Sequence, residues 1–482
     1  MIEVDVHESL RLLLRAQRDP WPHQLTMARL VARGLRLGRS ALMQVGETGE
    51  HRLSYLLPCL LMPGTTILCL SDAVRREVLH GEIPWLHAHV PVTTPVYHDD
   101  WRRPGLVLMN PQTWLQLRWQ GSLPPGIPMV MDGAEALDEW VDQISTVSLG
   151  AADWLVLQHA LPQIDIAALH QELLWRLSRR PLSQFPLLSD EGAPLLEALT
   201  SYPERLPAPW DQFTAQWQRP DTLVWASKGE AGLSVILHAT PLNPAPQLAQ
   251  RVWAEQPMVL IGQGMDYHPQ ATSFRQRLGI PHVTTLSFTH RPDRELSVWI
   301  PSPMPAPNTP QFQPALIDQV RYLVSLSWAR VVILLSDQPL LHQLGVTLAA
   351  EWGSRVGMNC SLSPTTAPSS APRIMVASWD DWLAHGGTQP APDLVVVGTL
   401  PFPSMGDPLV NARVEYRKRQ QQDWFREYLL PIAITRLQQS LASVRRRHGT
   451  LALLDSRVLT RSYGSHFLAM LHPWTRVDRP QP

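Results

Sequence analysis

Short apolar runs alternate with helix-period stretches along most of this chain, and that alternation limits what it can fold into. Ser40 to Val45, Thr66 to Leu70, Leu106 to Asn110 and Pro128 to Asp132 are too short for stable helices and are dominated by apolar side chains. Runs of this kind suit strands buried on both faces, as in parallel sheets covered by helices. Helical stretches separate them, at Leu10 to Arg18, Leu25 to Leu37 and Leu53 to Leu61, with Pro20 and Pro22 breaking the first two apart. Ser71 or Asp72 is placed to cap a further helix ending near Leu79. Leu233 to Ala239 and Pro257 to Ile261 return to strand character. A second alternating series follows at Arg330 to Leu335, Arg373 to Ala377, Asp393 to Val397 and Thr450 to Leu454. The expected class is α/β, with two parallel-sheet units.

A chain of 482 residues can enclose two or three cores, because single cores stop growing near ~250–300 residues. Residues 1–150 and 222–300 are expected to form the first domain. Residues 151–221, rich in Pro and Trp and helical in pattern, read as a short helical insertion within it. The segment from Ile300 to Pro307 carries proline at every second position after Ile300 and reads as part of a linker over 301–310. Residues 311–482 form the second domain. No stretch reaches the ~18 apolar residues of a membrane span, and the acidic N-terminus is no signal peptide, so a cytoplasmic protein without a membrane partner is expected.

A net charge of -1 gives no global attraction to nucleic acid, so any such contact needs a local basic patch. The best candidate lies near the C-terminus, where Arg413, Arg417, Lys418, Arg419, Arg426, Arg436, Arg445, Arg446 and Arg447 follow in close order. A solvated helix face is the alternative reading. Arg102 and Arg103, interleaved with Trp85, Trp101, Trp114 and Trp119, could form an aromatic platform for a strand, or those indoles could be core. Cys59, Cys69 and Cys360 have no metal-ligand spacing, and His87, His89 and His98 lack a completing ligand, so no metal site is expected.

From Met43 the chain runs Gln44-Val45-Gly46-Glu47-Thr48-Gly49-Glu50-His51-Arg52-Leu53-Ser54-Tyr55-Leu56-Leu57-Pro58. This resembles the Glu-Ala-Gly-Thr-Gly-Thr-Gly-Lys-Thr-Leu-Ala-Tyr-Leu-Leu-Pro signature of the DinG/XPD branch of superfamily-two DNA helicases. Further likeness follows in order. Trp21 to Ala28 is similar to the adenine-side motif and keeps its glutamine as Gln24. Met129-Val130-Met131-Asp132-Gly133-Ala134-Glu135-Ala136 is similar to the Asp-Glu-Ala-His box. Leu400 to Leu409 matches Leu-Pro-Phe-x-x-Pro-x-Asp-Pro, and Leu437 to Arg446 looks like the final helicase motif, with Gln439 and Arg446 kept.

The resemblance implies two RecA-like domains of P-loop type, a nucleotide site built from Gln24, Gly46, Thr48, Gly49, His51, Arg52, Gln439 and Arg446, and Asp132 as the magnesium-side carboxylate. ATP and Mg²⁺ are the cofactors if the family activity survives, and DNA the expected partner, with protein partners possible. The family's iron–sulfur members cluster four cysteines between the phosphate loop and the acidic box; only Cys59 and Cys69 lie there, so no cluster is expected. Yet the chemistry is depleted. His51 replaces the phosphate-binding lysine, Arg52 the magnesium-binding hydroxyl, and Glu50 the last glycine, where a carboxylate repels triphosphate by on the order of several kcal/mol. Gly133 replaces the glutamate that polarises water, and Ser443 the arginine that reaches the γ-phosphate. The sequence therefore points to a nucleic-acid-binding protein of helicase fold with lost or impaired hydrolysis. An active ATP-dependent DNA helicase and a non-catalytic protein-interaction scaffold are the competing readings.

Overall fold

A computed structural model describes residues 2–15, 20–46, 51–180, 183–228, 235–288, 295–360 and 372–481, apart from the side chains of Ser189 and Arg446. Two seven-stranded sheets, both wholly parallel, carry the chain. Across the first, the strand order is Thr284–Ser287, Ala41–Val45, Met258–Gln263, Met129–Asp132, Thr65–Cys69, Gly105–Met109 and Val96–His98. Its central strands are buried along almost their whole length. Helices cover both faces: Met43, Leu56, Leu60 and Leu68 pack on one side, Leu42, Ile67, Met131 and Leu260 on the other. This two-sided burial is why the strands read as unbroken apolar runs.

The second sheet has the order Val356–Met358, Ile374–Ser378, Val331–Leu335, Leu394–Val397, Thr450–Leu453, Leu296–Trp299 and Trp474–Arg476. It too is sandwiched between two cores. These are the two α/β units expected from the sequence. Two expectations need correction. Leu296–Trp299 pairs in parallel with Thr450–Leu453, so the second sheet begins before residue 300. The proline-rich 301–310 segment is therefore a loop inside the second domain rather than a linker between domains. Its prolines cannot donate to a ladder, which ends the strand without ending the domain.

The insertion is also larger than 151–221 and not purely helical. Val147–Leu149, Gln184–Pro186, Thr222–Lys228 and Val235–Pro241 form an antiparallel four-stranded sheet backed by helices. Trp210, Phe213, Phe185 and Leu237 fill its separate core. Leu233 to Ala239, expected as part of the first domain, belongs largely to this sheet through Val235–Pro241.

Candidate functional site: a closed acidic box

Ligands in open α/β sheets bind beyond the carboxyl ends of the strands. Three neighbouring strands of the first sheet deliver the expected residues there. Ala41–Val45 runs into Gly46, Met129–Asp132 ends on Asp132, and between them Met258–Gln263 ends on Gln263. Thr48 and Gly49 lie outside the described residues. His51 immediately precedes the helix Arg52–Leu61, where Tyr55, one turn further on, shares its face.

Those two side chains converge on Asp132. His51 is 3% exposed, and its Nε2 lies 3.0 Å from Asp132 Oδ1. The Tyr55 hydroxyl donates to Oδ2 at 2.7 Å, and the Gly133 N–H donates to Oδ1 at 3.1 Å. Burial opposes ionisation of Asp132, but the His51 charge and the bonds from His51 and Tyr55 outweigh it and hold the carboxyl below its usual range. Both oxygens are thus committed to protein donors. With three protein donors on its roughly four acceptor sites and an imidazole where the lysine would be, this carboxylate fits a magnesium–triphosphate poorly.

Arg52 fits one no better. Its guanidinium is held between Glu77, 2.5 Å away, and Glu82, 3.1 Å away. Burial would lower its pKa, and the two carboxylates more than offset that. Gly133 sits at φ 81°, a left-handed conformation, with no side chain to orient water. Glu135 leans over Gly262 and accepts the Gln263 N–H at 3.1 Å. Burial, with Asp132 nearby, pushes the Glu135 carboxyl up to about 7. Gln263 Nε2 donates in turn to the Gly46 carbonyl at 3.3 Å, tying the strand end to the loop entrance.

On the adenine side, Gln24 is buried at the start of the helix Gln24–Leu37, not solvated. Beside it Trp21 is 3% exposed and meets the rings of His23, Phe288 and His51 at 5.2, 5.5 and 6.3 Å. Sequence reasoning missed Trp21, Tyr55 and Phe288 as site residues; Tyr55 stood only within the run from Gln44 to Pro58, although its spacing from His51 placed both on one helical face.

From the second domain, Gln439 is half-buried on the helix Leu430–Ser440, and Arg446 ends the helix Ala442–Arg446. The neighbour of Gln439 is what reaches the first domain: a Cβ added to Gly264 would lie 2.6 Å from Gln438 Oε1. Gln438, not singled out in the sequence, is one contact across the cleft.

The strand-binding candidates divide. Trp114 is fully buried and stacks on Trp253 at 6.0 Å, so it is a core residue with no face for a base. Arg413 is also a correction. It makes a bidentate ion pair with Asp142 of the first domain, which removes it from a solvent-facing patch. Arg417 lies over the Tyr428 ring at 5.2 Å and bonds Gln422, while Arg436 and Arg447 pair with Asp380 and Asp393. Arg419 is exposed at the end of the helix Pro408–Arg419. Arg102 rests on Trp101 at 4.7 Å, and Arg103 pairs with Asp100 beside the edge strand Val96–His98. Among the described residues, no group of three or more His, Cys, Asp or Glu could hold a metal. Cys59, Cys69 and Cys360 are buried free thiols, and burial raises the pKa of each.

Comparison with known proteins agrees with this architecture. Residues 389–474 match the model of the Helicase C-terminal domain. The chain is 26% identical over 255 residues to the Escherichia coli ATP-dependent DNA helicase YoaA, covering 50% of this chain and 40% of YoaA. It is 25% identical over 287 residues to the Bacillus subtilis 3'-5' exonuclease DinG, covering 54% of this chain and 30% of DinG. A structure of S. tokodaii Xpd4 superposes with a TM-score of 0.64 at 12% identity, covering 95% of this chain and 100% of that one. In sequence the chain is similar to DinG-type helicases, and in fold to XPD. A second XPD helicase structure gives a TM-score of 0.62 over 96% of the chain, again at 12% identity. The DinG/XPD-like chain spans less than half the length of the curated relatives it matches. Among the described residues, no helix is long and apolar enough to cross a membrane.

Proposed function

We propose that this DinG/XPD-like protein binds nucleic acid, single-stranded or forked DNA, without turning over ATP. One observation carries the reading: His51 and Tyr55 occupy the carboxylate that would position magnesium. Preorganised cations around a transferring phosphoryl group supply most of the catalysis in such enzymes. Here the residue at the lysine position is spent on Asp132, and the residue at the magnesium-hydroxyl position on Glu77 and Glu82. Gly133 adds an independent loss, because the attacking water has no side-chain base at that position. The DNA-directed half of the proposal rests on the relatives, two of which are described as ATP-dependent DNA helicases.

The test is a phosphate-release assay with and without single-stranded DNA, run beside a strand-binding titration at several salt concentrations. The expected result is no strand-stimulated release and an affinity that falls steeply as salt rises. Strand-stimulated turnover sinks the first half and restores the helicase reading. Absence of salt-sensitive strand binding sinks the second and leaves a protein-interaction scaffold, a reading favoured by the pairing of the C-terminal arginines with carboxylates.

A further inference from the structure

Direct contacts between two domains can set their relative orientation without any bridging nucleotide. The helix Leu137–Ser145 of the first domain carries Asp138 and Asp142 one turn apart on one face. Opposite it, the helix Pro408–Arg419 of the second domain carries Arg413 and Arg417 at the same spacing. Arg413 reaches across with both terminal nitrogens, Nη1 lying 2.8 Å from Asp142 Oδ2 and Nη2 bonding Oδ1. Its side chain is 13% exposed and lies near the Tyr428 hydroxyl. Fork-to-fork arginine–carboxylate pairs fix both distance and angle, which a single-point contact cannot do. Asp138 is held in the same way from its own domain, by the bidentate grip of Arg277 at 3.2 and 2.7 Å. The acidic helix is thereby gripped by Arg277 on the same face that receives Arg413.

Two further contacts cross the same cleft. Gln438 packs against Gly264, where an added Cβ would come within 2.6 Å of its Oε1. Tyr267 of the first domain meets the His466 ring of the second at 5.3 Å and packs on the second domain's core. Three separate contacts restrict the relative placement of two bodies more than one does. Arg413 is largely enclosed, so removing Asp142 strands it without its counter-charge.

We infer that Arg413, Asp142 and Tyr428 form a built-in clasp that holds the two RecA-like domains in one closed orientation whether or not nucleotide is present. The cleft acts as a fixed frame, and any strand it accepts is bound without a nucleotide-driven cycle. This goes beyond the loss of turnover proposed above and stands on separate residues.

Single-molecule energy transfer between dyes on Arg33→Cys and Gln343→Cys reads the separation directly, since both positions are exposed and the three native cysteines are buried. The expected result is one narrow distribution, unmoved by a non-hydrolysable ATP analogue. Arg413→Gln should broaden it toward lower transfer. Asp142→Asn should do the same, and provides the reading if Arg413→Gln does not fold. The reciprocal exchange Arg413→Asp with Asp142→Arg should narrow the distribution again. A native distribution that shifts with the analogue overturns the clasp, as do folded single variants indistinguishable from the native chain. Phosphate release from a molecule whose labels stay still would sink the loss of turnover and leave the clasp standing; labels that move without release would do the reverse.

Discussion

Glu135→Gln offers a direct measure of the charge balance inside the acidic box. The wild-type carboxyl rises from 4.5 to about 7 on folding, because it is buried and lies near the ionised Asp132. An acid whose folded pKa is raised binds its proton more tightly in the native state. Its contribution is therefore fully present below pH 4.5 and is lost as pH rises toward and through 7. The span is about 2.5 pH units, which at ~1.36 kcal/mol per unit gives an upper value of ~3 kcal/mol. Partial solvent contact and coupling to Asp132 bring the expected effect to roughly 2 kcal/mol. Glutamine keeps an oxygen able to accept the Gln263 N–H and has no proton to lose in this range. Urea unfolding of both proteins at pH 4.5 and pH 8 checks this, with unchanged slopes showing that the unfolded states match. Wild type should lose about 2 kcal/mol more than the variant across that interval. A stability gap that stays constant between the two pH values would refute the assignment of a raised, box-coupled carboxyl.

Three further outcomes are expected. Tyr55→Phe removes the donor to Asp132 Oδ2 and should cost about 1.5–3 kcal/mol in chemical unfolding at pH 7, as for hydrogen bonds to charged groups. His51→Lys should restore no phosphate release, because Gly133 still supplies no base; turnover in that single variant would show the water-activating group to lie elsewhere. Trp114→Ala should destabilise by about 3–5 kcal/mol in urea unfolding, and at a temperature where the variant remains folded its strand affinity should equal wild type.

The sequence made the sheets legible where both faces are covered. Val331–Leu335 and Leu394–Val397 are buried throughout, and burial on two sides leaves a continuous apolar signature. The missed strands are short or marginal: Val96–His98 and Trp474–Arg476 lie at sheet edges, where one flank needs no apolar pattern. The proline run near residue 305 was legible as a loop but not as one within a domain. Nothing local marks that Leu296–Trp299 already belongs to the second sheet, since its partners come from residues 450–453 and 474–476. At the site, Asp132 and His51 were both identified, yet no sequence pattern says that they bond to each other. Arg413 was misread for the same reason. Its partner Asp142 is 271 positions away, and a run of arginines looks identical whether it meets solvent or a remote carboxylate.

The placement of Met258–Gln263 between Ala41–Val45 and Met129–Asp132 also sets the order in which the molecule can be born. A ribosome exposes the two flanking strands first, then spends roughly 6–25 s at about 5–20 residues per second on the stretch from Asp132 to Met258. Throughout that interval both inner edges lack the neighbour that will seal them, an invitation to wrong pairings. The antiparallel insertion, whose strands all lie between residues 147 and 241, is made within the same interval. Newly made chains should therefore lean on chaperones while the missing middle strand is still being translated.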